Sequence, residues 1–313
     1  LNMRAAIVEA LNTVPYVTDV PRHEDVAGTH RIKVLYAGLQ PTDVLRVRGI
    51  YKDPPFPHIV GGEGVGLLPD GSRVYFAHSV PTSGAFCEET IVLKEEVWPI
   101  PDTADAAQVI ALGLAGIGAL IPLEEARIKS GDRTLILGAT GPVGQIGCMV
   151  ARRLGAGVII GGARDAVRLE AMRARGLIDE IVVLGAGDDD AALQAQAGEH
   201  GYDVVLDPLF GPPAEAAFRA SAEGVRFMSI GTRAARTMTL TLTELRRRSH
   251  IGVDTGIRPP FERQAAFNRL IGYAAEGGWM IDTLEFDLDD VPAAWEAQCG
   301  SPGAKIIIKV ADV

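Results

Sequence analysis

Residues 3–36 alternate apolar and polar positions over short runs, 4–8 and 31–36 among them, with Pro15, Pro21 and Gly28 between them. Short strands with turn residues at this spacing predict a β-rich module. Residues 38–66 then crowd prolines and glycines together, and such a loop-rich stretch inside a compact body is expected to be functional rather than a linker. Strand-like runs return over 72–77 and 84–93, which makes the module a β-barrel-like body, and from 104 to 120 the rhythm becomes helical.

The chain is organised around residues 133–155. Thr134, Leu135, Ile136 and Leu137 form a short apolar run that ends at Gly138, and from Val143 the positions Ile146, Val150 and Leu154 recur at intervals of three and four. That pattern predicts a buried strand, a glycine turn and an amphipathic helix. Gly138, Gly141 and Gly144 stand three apart, and Pro142 falls where a first helical residue loses nothing by lacking an N–H. Backbone N–H groups and the positive end of a helix dipole suit a pyrophosphate, although any tight strand-to-helix junction also uses glycine. Context strengthens the phosphate reading. A second apolar run at 158–160, a helix over 166–175 closed by Gly176, and a third run at 181–184 complete βαβαβ, half of a doubly wound α/β sheet.

Further along, a helix is expected over 188–198, a fourth strand over 202–207, a helix over 212–222, a fifth strand over 225–230 ending in Gly231, and one more at 250–253. The remainder breaks the alternation with a helix over 261–276, a strand near 282–286, a short helix around Trp295 and a strand over 305–310. A tail of this kind can return to complete the first module and put both termini in one domain. The expected division is therefore 1–120 with 256–313 for the β-rich catalytic domain and 121–255 for the dinucleotide-binding domain.

Composition narrows the partners. A formal charge of −10 leaves no basic stripe for phosphates, so nucleic acid is not expected, and the one basic cluster, Arg246 to Arg248, reads as a solvated helix face. No apolar run approaches the roughly 20 residues that span a bilayer, so no membrane partner is expected and the chain reads as cytoplasmic. Cys87, Cys148 and Cys299 are odd in number and far apart, which gives neither a disulfide framework nor a metal-ligand spacing. Cys148, on the helix after the glycine turn, reads as packing.

The segments TDVLRVRGIY, GGEGVG, GSRVYFA, GAFCEETIV, GDRTLILGATGPVGQIG, ARDAVRLEAM and GAKIIIKV, in that order, resemble the medium-chain dehydrogenase/reductase superfamily, and within it the zinc-free quinone oxidoreductase branch. The resemblance covers nearly the whole chain. It implies a Rossmann doubly wound parallel sheet plus a β-rich GroES-like barrel, and a homodimer. Zinc-dependent relatives carry a cysteine just before the Thr-Asp pair, where Gln40 and Pro41 stand here, and a histidine between Gly61 and Glu63, where Gly62 stands. The four-cysteine lobe is also missing. With thiolate and imidazole both gone, no metal is expected. Without a Lewis acid, reduction of a quinone or a conjugated C=C suits the site better than alcohol dehydrogenation, because the developing charge spreads through the enone and meets a hydrogen-bond donor.

The candidate cofactor residues are Gly138, Thr140, Gly141, Pro142, Val143 and Gly144 of the turn, Arg164 and Arg168 beyond it, and Asp207 and Gly231 at the ends of the fourth and fifth strands. An acidic residue about 20 positions after the glycines would bind a ribose 2′-OH, whereas an arginine accommodates a 2′-phosphate. Residues 158–164 hold no Asp or Glu, and Arg164 follows Gly141 by 23 residues, which favours NADPH. Asp165 is counter-evidence unless it is a helix N-cap, and Arg168 reads equally as a solvated helix face.

For catalysis, the resemblance points to Tyr51 in the substrate pocket as a donor to an enolate-like oxygen, or as an aromatic that only packs there. Gln40 stands where quinone reductases often have asparagine and would supply a longer amide donor. Leu45 replaces a tyrosine that those enzymes can carry. Asp43 and Glu63 read as structural carboxylates that hold loops, and His58 and His78 as polar loop residues rather than ligands. Two further readings stay open: an enoyl thioester reductase, and a catalytically silent NADPH-binding protein.

Overall fold

The computed structural model describes residues 1–51 and 55–311, which form two compact units, Leu1–Leu114 with Pro260–Val313 and Ala115–Pro259. In the second unit, six parallel strands lie in the order Glu180–Val183, Val158–Ala163, Arg133–Leu137, Tyr202–Asp207, Ser221–Ser229 and Ser249–Gly252. The inner strands are buried on both faces, and for that reason they read as unbroken apolar runs rather than alternating ones. The strand that opens this unit lies inside the sheet, and the chain winds outward from it in both directions. Ligands of open α/β sheets bind at the carboxyl ends of the strands where that reversal occurs.

The helix after the glycine turn, Pro142–Arg153, has proline in its first turn and buries Ile146, Met149 and Val150, while Arg152 and Arg153 lie in its last turn. Cations there complement the negative end of the helix dipole. Cys148 is fully buried on the same helix, and burial pushes its thiol up to about 12. It is a packing residue.

The first unit is built on a seven-stranded sheet. Its organising element is the long strand Thr29–Leu39, which pairs with Lys305–Lys309, Glu63–Leu67 and Glu89–Leu93. Lys305–Lys309 pairs in turn with Thr283–Asp287, so the tail after residue 260 does return to the first module. A smaller three-stranded sheet joins Tyr16–Pro21, Asn2–Val8 and His58–Ile59. The core of this unit includes Ile32, Val34, Phe76, Phe86, Trp295 and Ile306.

Four expectations change. The loop-rich stretch 38–66, of which residues 52–54 lie outside the described set, carries a short helix, Pro41–Val47. The strand expected over 84–93 is confined to Glu89–Leu93, because residues 84–86 lie against other backbone. A Cβ at Gly84 would sit 2.2 Å from the Ile59 carbonyl, and the N–H groups of Ala85 and Phe86 bond to Gly61 and Val60. The single helix over 104–120 is two, Ala106–Leu112 and Leu114–Glu125, broken at Gly113. A Cβ there would lie 2.5 Å from Glu63 Oε2, and the break frees the Leu114 N–H to donate to that oxygen at 2.9 Å. Finally, Arg246–Arg248 follow the short helix Leu242–Leu245 rather than forming its face, and Arg248 bonds to the Ser221 carbonyl.

Candidate functional site

In the second unit the three glycines of the turn have three different reasons to be glycine. Gly138 has φ +61°, where a side chain is strained. Gly144 is forced by packing, since a Cβ would lie 2.2 Å from the Gly138 carbonyl oxygen. Gly141 is neither: its φ is −81°, and a Cβ would meet nothing nearer than the same oxygen at 3.5 Å, an ordinary contact. The protein itself does not need a glycine at 141, and the space its missing side chain leaves is at the N-terminus of Pro142–Arg153. Within that first turn Val143 and Gly144 carry N–H groups that the helix does not use, whereas Pro142 has none. Thr140 is half-buried, and its carbonyl is held by the Gln145 amide at 2.8 Å. Unused backbone donors at a helix N-terminus are the arrangement that suits an anion.

Arg164 follows directly on the carboxyl end of Val158–Ala163 and is exposed. Its stem runs over Gly185, where a Cβ would stand 3.7 Å from Arg164 Cγ. Among the described residues its guanidinium takes no ion-pair partner. Asp165 is an N-cap: its carboxylate accepts the Arg168 N–H at 3.0 Å, which explains an acidic residue here without a ribose. Arg168 is exposed and lies 3.4 Å from the same carboxylate, so its charge is partly engaged.

Asp207 corrects one expectation. It is fully buried, Oδ1 accepts the N–H groups of Leu209 and Phe210 at 2.9 Å each, and Oδ2 accepts the Ser229 hydroxyl at 2.7 Å. Burial raises its pKa, and these donors oppose the rise. The Ser229 hydroxyl also contacts His250 Nε2 at 2.9 Å. With both oxygens engaged, the carboxylate holds the turn after its strand instead of meeting a ligand. Gly231 packs against that turn, since a Cβ there would lie 2.8 Å from the Pro208 carbonyl oxygen.

In the first unit the side chains near Gln40 form a buried polar cluster. Glu63, fully buried, accepts from Gln40 Nε2 at 3.0 Å, Tyr75 OH at 2.6 Å, Leu114 N at 2.9 Å and Lys305 Nζ at 2.6 Å. Such a carboxylate is tolerable in the interior because every lone-pair direction is met and an ammonium balances its charge. Gln40, expected to supply an amide donor, gives one of its two amide hydrogens to Glu63. Asp43 accepts the Gln40 N–H at 2.9 Å, and burial pushes its carboxyl up to about 6 against that bond and the neighbouring cations. Gly62 stands beside it, 3.5 Å from Asp43 Oδ1 to a placed Cβ. Tyr51, 45% exposed, follows the Pro41–Val47 helix and takes no partner among the described residues.

A second buried pair lies in the same unit. Arg263 binds Glu96 through both nitrogens, Nη1 at 2.7 Å and Nη2 in a shorter contact, with both side chains nearly sealed from water. Burial would raise Glu96, yet its side-chain contacts with His78 and Arg263 outweigh it and hold the carboxyl at about 2. His78 follows the strand Arg73–Ala77 with φ +51°, and its N–H donates to the Gly62 carbonyl at 2.9 Å. The sequence did not single out Lys305, Glu96, Arg263 or Tyr75. Among the described residues no group of three His, Cys, Asp or Glu side chains is placed to hold a metal ion. A cleft of about 610 Å³ in this unit lies elsewhere, lined by Val44, Arg48, Trp295 and Cys299 among others, and none of the expected site residues borders it.

Residues 142–270 match the family model for zinc-binding dehydrogenases. The chain is 26% identical to rat quinone oxidoreductase over 87% of its own length and 85% of that protein. It is 27% identical to a phenolphthiocerol/phthiocerol polyketide synthase of Mycobacterium tuberculosis, over 97% of its own length but only 14% of that much longer protein. Among solved structures it resembles the quinone oxidoreductase of Thermus thermophilus, described also in complex with NADPH, with a TM-score of 0.79, 22% identity and coverage of 98% and 100% of the two chains. The parallel sheet with its glycine turn, the returning tail and these relatives agree in supporting the medium-chain dehydrogenase/reductase superfamily, whose quinone oxidoreductase-like branch the chain resembles.

Proposed function

We propose that the chain is an NADPH-dependent oxidoreductase that reduces a quinone or an α,β-unsaturated carbonyl without zinc. The observation that carries the cofactor choice is Arg164, an exposed guanidinium without an ion-pair partner among the described residues, at the end of a strand that offers no competing carboxylate to a ribose. A 2′-phosphate fits that guanidinium bidentately. The turn fits the pyrophosphate: the room at Gly141 is not required by the protein's own packing, and the N–H groups of Val143 and Gly144 supply donors there. NADPH, when bound, supplies a hydride. The relatives named quinone oxidoreductase, and the Thermus structure described with NADPH, support the same reading.

The chain's own residues have the remaining tasks. Gln40, Pro41 and Gly62 offer neither thiolate nor imidazole, so the oxygen that gains charge must be met by hydrogen-bond donors. Tyr51 is one such donor, and Tyr51→Phe should lower kcat for enones; an unchanged rate reduces it to packing. A homodimer belongs to the same proposal on the resemblance alone, and sedimentation of the purified chain tests it.

The polyketide synthase match favours a second reading, reduction of an enoyl thioester. Steady NADPH oxidation with 1,4-quinones or short enones supports the first reading, and turnover restricted to enoyl thioesters supports the second. No turnover across all three classes leaves a silent NADPH-binding protein.

A further inference from the structure

We infer that His78 is a substrate-facing hydrogen-bond donor, which presents Nε2–H to the oxygen of a carbonyl or quinone acceptor; the substrate class rests on the function proposed above. Three independent features of the first unit lead there. The first is backbone conformation: His78 is a non-glycine residue at φ +51°, sparsely populated for L side chains, held there by its N–H bond to the Gly62 carbonyl. The same Gly62 stands beside Asp43, which caps Gln40, so His78 lies at the corner where Gln40 and Gly62 replace the thiolate and imidazole types of ligand.

The second is the tautomer. A guanidinium nitrogen can only donate. Arg263 Nη1 has two hydrogens; one goes to Glu96 Oε2 at 2.7 Å, and His78 Nδ1 lies 3.0 Å away for the other. Nδ1 must then be the bare, accepting nitrogen, which puts the proton on Nε2. The approach of Nδ1 to Glu96 Oε2, 3.3 Å, is the longer of its two contacts. The third is exposure. Arg263 and Glu96 are almost completely buried, yet the imidazole they hold is 33% exposed, and Nε2 takes no partner among the described residues. Two buried charges thus fix the orientation of a ring whose one remaining donor is unused. That is the arrangement expected of a preorganised donor, whose partner is an acceptor supplied from outside.

Glu96 and Arg263 are positioning residues in this account, and His78 alone touches the substrate. Asparagine and glutamine separate the two nitrogens. The amide of His78→Asn reaches the place of Nδ1 and keeps the contact with Arg263, whereas that of His78→Gln reaches the place of Nε2. With an enone panel and NADPH, His78→Asn should lose ten- to a hundredfold in kcat while the melting temperature and the NADPH Kd stay close to wild type, and His78→Gln should recover much of the loss. Equal kcat in wild type and His78→Asn overturns the inference.

A second readout needs no turnover. Long-range ¹H–¹⁵N spectra of the full chain, with His78 assigned by its absence in His78→Asn, should show the Nε2–H tautomer. In the dead-end mixture with NADP⁺ and 2-cyclohexenone, that Nε2–H resonance should move downfield. An Nδ1–H tautomer, or no movement at saturating enone, overturns the inference. A chain that binds NADPH but reduces none of the acceptors sinks the functional reading, and the spectra still decide for or against His78.

Discussion

The glycine turn of the second unit and the polar cluster of the first are built from opposite materials. The turn is backbone: Gly138, Gly141 and Gly144 remove side chains so that N–H groups and a helix end face outward. The cluster is side chain: Glu63 and Glu96 are buried, and each is balanced by a cation contributed from far along the chain. The difference is instructive. A backbone site fails where a methyl group collides, whereas a side-chain site fails where a charge loses its partner. Within the cluster the two pairs also differ, since Glu63 ends in a closed set of four donors while Glu96 and Arg263 lead to a half-open imidazole.

The largest effect should come from breaking the closed pair. Lys305→Ala leaves Glu63 buried without its counter-charge, and such losses cost about 3–5 kcal/mol. Denaturant unfolding of Lys305→Ala against the double variant Lys305→Met with Glu63→Gln checks this. The double variant should be the more stable of the two, because neither charge remains to be paired, and a double variant as unstable as the single would break the account.

Next is the turn. Gly144→Ala forces a methyl against the Gly138 carbonyl and should destabilise by about 1–3 kcal/mol, whereas Gly141→Ala, with only an ordinary contact to make, should unfold at nearly the wild-type midpoint. The same Gly141→Ala should weaken NADPH binding at least tenfold. Unchanged binding would mean that the room at 141 serves no ligand.

The half-open pair should show itself in acid. The folded Glu96 carboxyl lies at about 2, below its ordinary 4.5, so its contribution is fully present above pH 4.5 and is lost as the pH falls through 2. Glu96→Gln should therefore be less stable than wild type at pH 7 by on the order of 2 kcal/mol, and the gap should close below pH 2 to 3. Asp43 has the opposite sign. Its carboxyl, raised from 3.8 to about 6, favours the folded state while protonated, and that contribution is lost as the pH rises through 6. Asp43→Asn should remove this dependence between pH 4 and 6, with the amide oxygen still able to accept the Gln40 N–H. A persisting dependence would assign it to another group.

What could be read from the residues alone follows the same division. The strand, turn and helix at 133–155 are local, so period and glycine spacing revealed them, and the Asp165 cap and the exposed Arg164 lie within the next ten residues. The returning tail was legible because the βα rhythm stops. The helix break at Gly113 was not, since an Ala- and Gly-rich apolar run carries no mark of the Glu63 carboxylate that occupies the space. Gln40 was found as a residue, but its bond to Glu63 was not legible, because that partner stands 23 residues on and is reached only through strand pairing. Lys305 and Arg263, 242 and 167 residues from the carboxylates they balance, had no local signal at all. Asp207 was legible as the end of a strand, but its burial was not.

The central claim is that the cradle at 138–144 and the guanidinium at 164 together select NADPH. Cofactor fluorescence titrations of wild type and Arg164→Ala with NADPH and NADH test it most directly. Wild type should bind NADPH at least tenfold more tightly than NADH, and Arg164→Ala should lose most of that preference with little change in NADH affinity. Equal affinities in the wild type, or a preference that survives Arg164→Ala intact, would contradict the account.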